Sequence, residues 1–121
     1  MLKGIGVDIV QTSRFAAIRN NTVSHILSPA ELERLDSLSG QARLEFLSSR
    51  FASKEALVKA LGTGFGPLSP ADITVENDAA GRPYFVLSDR ARPLFDGLAA
   101  HLSISHEKDY SVAMVVLDGK D

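Results

Sequence analysis

The stretch from Gln41 to Leu61, QARLEFLSSRFASKEALVKAL, decides how this chain is read. It contains no internal glycine or proline and is rich in strong helix formers, which predicts one long helix. Leu44, Leu47, Phe51 and Val58 recur at spacings of three, four and seven, and so predict an apolar face. Glu55 falls in the gap of that face, four residues after Phe51 and three before Val58. A carboxylate taken into an apolar layer is costly unless it is paired, hydrogen-bonded or bound to a metal. The pattern therefore calls for a cation opposite Glu55.

Downstream, Gly62 ends the helix and opens the loop Gly62-Thr63-Gly64-Phe65-Gly66-Pro67, whose glycines allow positive φ and a close approach of backbone N–H groups. DITVE (72–76) and PYFVL (83–87) read as strands joined by a turn from Asn77 to Arg82, with Gly81 as the turn residue. Asp89 to Ala99 is read as a helix that tolerates Pro93 only in its first turn. HLSIS (101–105) and YSVAMVV (110–116) form a hairpin over His106 to Asp109. Upstream, Ile5, Val7 and Ile9 alternate with Gly4, Gly6 and Asp8, the period of a strand from Leu2 to Val10. The two glycines beside Asp8 leave room either for a ligand or for a close-packed neighbour. Thr12 to about Asn20 is expected to be a short helix, and Ser28-Pro29-Ala30-Glu31 opens another with a capping box. The order strand, helices, strands, helix, strands predicts an α+β fold, a mainly antiparallel sheet packed on the long helix, in one domain over 1–121.

At 121 residues and 45% hydrophobic composition the chain can bury a core, and the absence of cysteine removes thiolate metal sites, cysteine nucleophiles and disulfides. The first ten residues lack the apolar run of a signal peptide, and nothing approaches a membrane span of roughly 18 apolar residues, so a cytoplasmic protein without membrane contact is expected. A net charge of −2 argues against general binding to nucleic acid. Residues 1–60 hold 8 Lys+Arg and 6 Asp+Glu, whereas residues 61–121 hold 5 and 9, so an anionic partner would sooner meet the first half.

Familiar catalytic motifs are missing. Ile9 stands where a dinucleotide fingerprint needs its third glycine, GxxxxGK[ST], HExxH and GxSxG are absent, and His25, His101 and His106 share no metal-ligand spacing. What remains is Asp8 on a strand, Glu55 on the helix, and Lys54 and Lys59 beside it. Two carboxylates from separate elements, with further positions left to water and substrate oxygens, are a common way to hold Mg²⁺ at a phosphate site. The two lysines stand where ammonium groups could take phosphate oxygens. The alternative is a plain Glu55–Lys59 helix pair, worth only a few tenths of a kcal/mol. Arg43 and Arg50 read as solvated charges on the helix face.

At these residues the chain resembles a known family. Gly4-Ile-Gly-Val-Asp8-Ile-Val, Ser28-Pro-Ala-Glu31-Leu, Arg50-Phe-Ala-Ser-Lys54-Glu55-Ala-Leu-Val-Lys59-Ala-Leu-Gly62-Thr-Gly64 and Leu102-Ser-Ile-Ser-His106 occur in the order seen in holo-acyl-carrier-protein synthases. These are the short single-module branch of the 4′-phosphopantetheinyl transferases. The resemblance runs from Met1 to about Leu117, and its Lys-Glu segment with the Gly-Thr-Gly end is the specific part. It implies an enzyme that moves phosphopantetheine from coenzyme A to a serine of apo acyl carrier protein, releasing adenosine 3′,5′-bisphosphate and supporting fatty acid biosynthesis. It further implies that Asp8 and Glu55 hold Mg²⁺, for which Mn²⁺ can substitute, and that Lys59 and Lys54 contact the diphosphate. Gly62 and Gly64 would border the nucleotide and His106 would lie near the phosphates, the reading favoured over a capping or core histidine at a strand end. Deprotonation of the serine is left open between Glu55 and a metal-bound water. The family has Glu where Gln11 stands and a more basic first helix; here Arg14 and Arg19 are the arginines between Thr12 and Leu27 that would meet the acidic carrier. Family members of this size form homotrimers with sites at subunit boundaries. The competing reading is a non-catalytic carrier-binding module that retains the fold.

Overall fold

The structure, a computed structural model, describes residues 1–120. Strands β1 (Leu2–Gln11), β4 (Leu98–His106) and β5 (Tyr110–Gly119) form an antiparallel sheet in the order β1-β5-β4, and β2 (Ile73–Asn77) with β3 (Pro83–Leu87) forms a separate antiparallel hairpin. Helices α1 (Asn20–Ile26) and α2 (Pro29–Leu35) precede the long α3 (Gly40–Leu61), which packs across the three-stranded sheet. The expected α+β architecture is the observed one. Asp8 faces Ala113 across one strand pair, and Ala113 faces Ile104 across the next, so this register fixes where each site residue sits along the sheet.

Gly4 and Gly6 settle the question left open beside Asp8. A Cβ at Gly6 would stand 2.0 Å from the Ala56 carbonyl oxygen, and one at Gly4 would stand 2.0 Å from that of Ala60. The glycines leave no room for a ligand. They let the backbone of β1 lie directly against α3, which carries Asp8 to the helix turn that holds Glu55 and Lys59.

The expected apolar face of α3 is only part of its buried surface. Leu47 and Val58 are buried, but so are Ser48, Ser49, Ala52, Ser53, Lys54, Ala56 and Leu57, because the helix has the sheet on one side and the smaller elements on the other. Its serines are accommodated by hydrogen bonds: Ser53 Oγ donates to Ser49 O at 2.7 Å, and Ser48 Oγ lies 2.7 Å from Ser111 Oγ. Glu55 stands at the margin of this buried zone, only partly covered. The fully buried charge of the helix is Lys54.

Two expected helices shorten to single 3₁₀ turns. Thr12–Phe15 makes one turn and Thr12 is tied to the β4–β5 connection, its N–H donating to Asp109 O and its Oγ1 to Lys108 O, so the regular helix starts only at Asn20. In place of the Asp89–Ala99 helix, Pro93 lies in the first turn of Arg92–Phe95, Gly97 turns the chain at φ 75°, and β4 begins at Leu98. The capping box is present as expected, with Ser28 Oγ accepting from Glu31 N and Glu31 accepting from Ser28 N. No helix among the described residues is long and apolar enough to cross a membrane.

Candidate active site

Strand β1 and helix α3 bring Asp8, Glu55 and Lys59 together. Lys59 Nζ donates to Asp8 Oδ1 at 3.0 Å and to Val7 O at 3.2 Å. Asp8 Oδ2 is buried and has no hydrogen-bond partner among the described residues. Partial burial pushes the Glu55 carboxyl above its ordinary range, and the Asp8 charge adds to the rise, while Lys59 and Arg14 pull it back. A buried oxygen without a donor, beside a second carboxylate, is an acceptor left unused, with capacity for a cation. These hard oxygen donors fit a Mg²⁺-type ion. No group of three His, Cys, Asp or Glu side chains able to hold a metal occurs among the described residues, so the chain would supply two ligands and leave the other positions to water and substrate.

Lys54 does not belong to this site, which corrects the expectation that it contacts the diphosphate. Its ammonium points to the other side of α3, where it donates to Ile26 O at 2.7 Å, Pro70 O at 3.0 Å and Glu31 Oε1. The side chains of Lys54 and Glu31 are 1% and 2% exposed, and Glu31 Oε2 accepts from Val75 N at 2.9 Å. Burial lowers the Lys54 ammonium from its ordinary range and the Glu31 charge opposes that fall. The pair ties α1, α2, α3, β2 and the segment after the glycine loop together, so its acceptors are already used.

His106 also stands apart from Asp8 and Glu55 within one chain. It ends β4, two strands from β1, so at ordinary strand spacing the separation across the sheet is about 10 Å. Its neighbours are Glu45, whose Oε2 lies 3.7 Å from Nδ1, and a cleft of about 200 Å³ lined by Ser49, Arg50, Asn77, Pro83 and Ile104. Arg50 corrects its reading as a solvated charge. Its guanidinium lies 4.2 Å over the Phe46 ring, donates to Asn77 Oδ1 at 3.3 Å, and has a buried Nε with no partner among the described residues. Burial lowers its pKa from the ordinary value. Five residues before Glu55 is about 140° around the helix, so Arg50 and Glu55 look to different sides. The legible signals for Arg50 were Phe46 at i−4 and the small residues Ser48 and Ser49 that bring other elements close.

Gly62 ends α3 at φ 84°, and its N–H donates to Val58 O and Lys59 O, so this donor is used in the helix cap. Gly64 follows, also left-handed at φ 63°. Arg14 is exposed in the Thr12–Phe15 turn, 5.6 Å over the Phe51 ring, and Arg19 is exposed at the start of α1.

With fold and site in view, comparison with known proteins identifies the class. Residues 4–115 match the family described as the 4′-phosphopantetheinyl transferase superfamily. The chain belongs to this family of transferases. Among its relatives, the holo-[acyl-carrier-protein] synthase of Geobacillus kaustophilus is 43% identical over 122 residues, covering 98% of this chain and 90% of that protein. That of Bacillus subtilis is 38% identical, covering 98% and 97%. A crystal structure of the Bacillus anthracis holo-(acyl-carrier-protein) synthase in complex with CoA (3′,5′-ADP) is 39% identical and matches with a TM-score of 0.88 over 99% of each chain.

Proposed function

We propose that this chain transfers the 4′-phosphopantetheine arm of coenzyme A to a serine of an apo acyl carrier protein, giving the holo carrier for fatty acid synthesis and adenosine 3′,5′-bisphosphate. The observation that carries the reading is the Asp8–Glu55–Lys59 cluster, whose buried Asp8 oxygen has no partner among the described residues, in a chain similar to a synthase crystallised with CoA (3′,5′-ADP). Asp8 and Glu55 would hold Mg²⁺ or Mn²⁺. Such an ion, when bound, neutralises charge on the diphosphate under attack. Lys59 supplies a mobile ammonium for the diphosphate oxygens. The carrier's serine gives up its proton to Glu55 or to water as its oxygen forms the new bond to phosphorus, the phosphoanhydride bond breaks, and the electron pair leaves with adenosine 3′,5′-bisphosphate. The nucleophile comes from the carrier, which suits a chain with no activated nucleophile of its own. Arg14 and Arg19, exposed beside the cluster and at the start of α1, would meet the acidic carrier.

The distance between Asp8–Glu55 and the Arg50–His106 cleft supports a homotrimer in which one subunit's cleft completes the next subunit's carboxylate site. Ile5, Val7, Ile9 and Met114 support it too, since they lie exposed on the sheet face away from α3 and offer an apolar surface for subunit contact. Mass spectrometry of an apo carrier incubated with this chain, coenzyme A and Mg²⁺ tests the transfer. One added phosphopantetheine is expected, and an unmodified carrier would instead favour the non-catalytic binding module. Light scattering tests the trimer.

A further inference from the structure

The charges around Asp8 are already balanced. Asp8 and Glu55 contribute two carboxylates, and the cationic groups that face them are Lys59, bonded to Asp8, and Arg14, whose charge reaches Glu55. A divalent ion added alone would leave two positive charges in excess, at a point where Lys59 Nζ is 3.0 Å from Asp8 Oδ1. A divalent ion added with a diphosphate restores the balance. Lys59 is also free to move, because its side chain is 51% exposed on a flexible four-carbon stem and its second partner is a single carbonyl, Val7 O.

We propose that the Lys59 ammonium and the divalent ion compete for Asp8, and that the diphosphate of coenzyme A relieves the competition by drawing Lys59 onto its own oxygens. This rests on the reading of Asp8 and Glu55 as the ion's ligands. Ion and coenzyme A then bind cooperatively, and by linkage each strengthens the other by the same factor. Lys59 thus serves as the local counter-charge before the substrates arrive and as a diphosphate contact afterwards.

The test is titration of chelator-stripped protein with Mn²⁺ alone, read by electron paramagnetic resonance, for the parent, Lys59→Met and Arg14→Met, each repeated with saturating coenzyme A. Lys59→Met is expected to bind Mn²⁺ alone about two- to fivefold more tightly than the parent, the range of a half-exposed ion pair. Arg14→Met removes an equal charge that has no bond to Asp8, and should change the affinity clearly less. Coenzyme A should tighten Mn²⁺ binding at least about fivefold in the parent and by a smaller factor in Lys59→Met. Unchanged or weaker Mn²⁺ binding by Lys59→Met would overturn the proposal, as would an equal gain in Arg14→Met or equal coupling in both proteins. Asp8→Asn separates the two levels of the argument: if it binds Mn²⁺ as the parent does, the assignment of the ion's ligands fails, whatever Lys59 does.

Discussion

Helix α3 carries two ammonium–carboxylate pairs five residues apart, Lys54–Glu31 and Lys59–Asp8, and they have opposite fates. In the first, both side chains are almost wholly buried, and the ammonium reaches two carbonyls as well as the carboxylate. In the second, Lys59 is half exposed and one oxygen of Asp8 has no donor among the described residues. The chemical types are identical, so residue type does not tell a structural pair from a chemical one. What separates them is whether every donor and acceptor is already used. A saturated pair can only hold the fold, whereas an unsaturated one has capacity left for a ligand.

The largest effect expected from this contrast is on stability at Lys54. Lys54→Met strands the Glu31 carboxylate in the core and should cost about 3–5 kcal/mol in urea unfolding. A cost below about 1 kcal/mol would erase the distinction between the pairs. Next comes Gly6→Ala, whose added carbon meets a backbone oxygen of α3 and should cost about 1–3 kcal/mol. Its transfer rate should fall further than the lost stability explains, since Asp8 moves with β1; a rate equal to the parent's at a temperature where both are folded would show that the site tolerates slack. Lys59→Met should alter stability by less than about 1 kcal/mol, yet lower transfer about 10–100-fold through the loss of a charge-assisted contact to the diphosphate. Parent-like turnover would leave Lys59 without a chemical role.

The smallest effect belongs to Glu55→Gln in chelator. The folded value of Glu55 lies above the ordinary 4.5, so the stability it contributes is full below that pH and is lost as pH rises through the folded value. Removing the charge should leave the protein as stable as the parent or slightly more so near pH 7, and the advantage should disappear below about pH 4. A variant that melts well below the parent at pH 7 would make Glu55 a structural partner, like Glu31.

Much of this was legible in the residues. The strand period around Asp8, the long helix, the capping box and the two hairpins are local patterns, and they stand where they were expected. Glu55 was singled out on a simple amphipathic picture of α3. The helix is instead enclosed on most sides, which the serines and alanines from Ser48 to Ala56 allow and no two-faced periodicity describes. That enclosure hid the Lys54–Glu31 pair, because its partners are 23 residues apart and no spacing rule links them. The same enclosure turned Arg50 from a surface charge into a guanidinium held flat on Phe46 at the edge of a cleft. Helix lengths at Thr12 and Asp89 were overestimated because tertiary ties and Gly97 stop the backbone after one turn.

The pairing of β1 with β5 sets when this molecule can first act. Asp8 is held opposite Ala113, 105 residues later, so no shorter segment of the chain can place it in the sheet. At synthesis rates of about 5–20 residues per second, those residues take about 5–20 s to add, and through that interval Asp8 lies on an unpaired strand. Helix α3 can form early from local contacts, but the sheet that fixes β1 against it is complete only once β5 has been made. Any nascent or C-terminally shortened chain that lacks β5 would therefore carry all three residues of the cluster and still have no site.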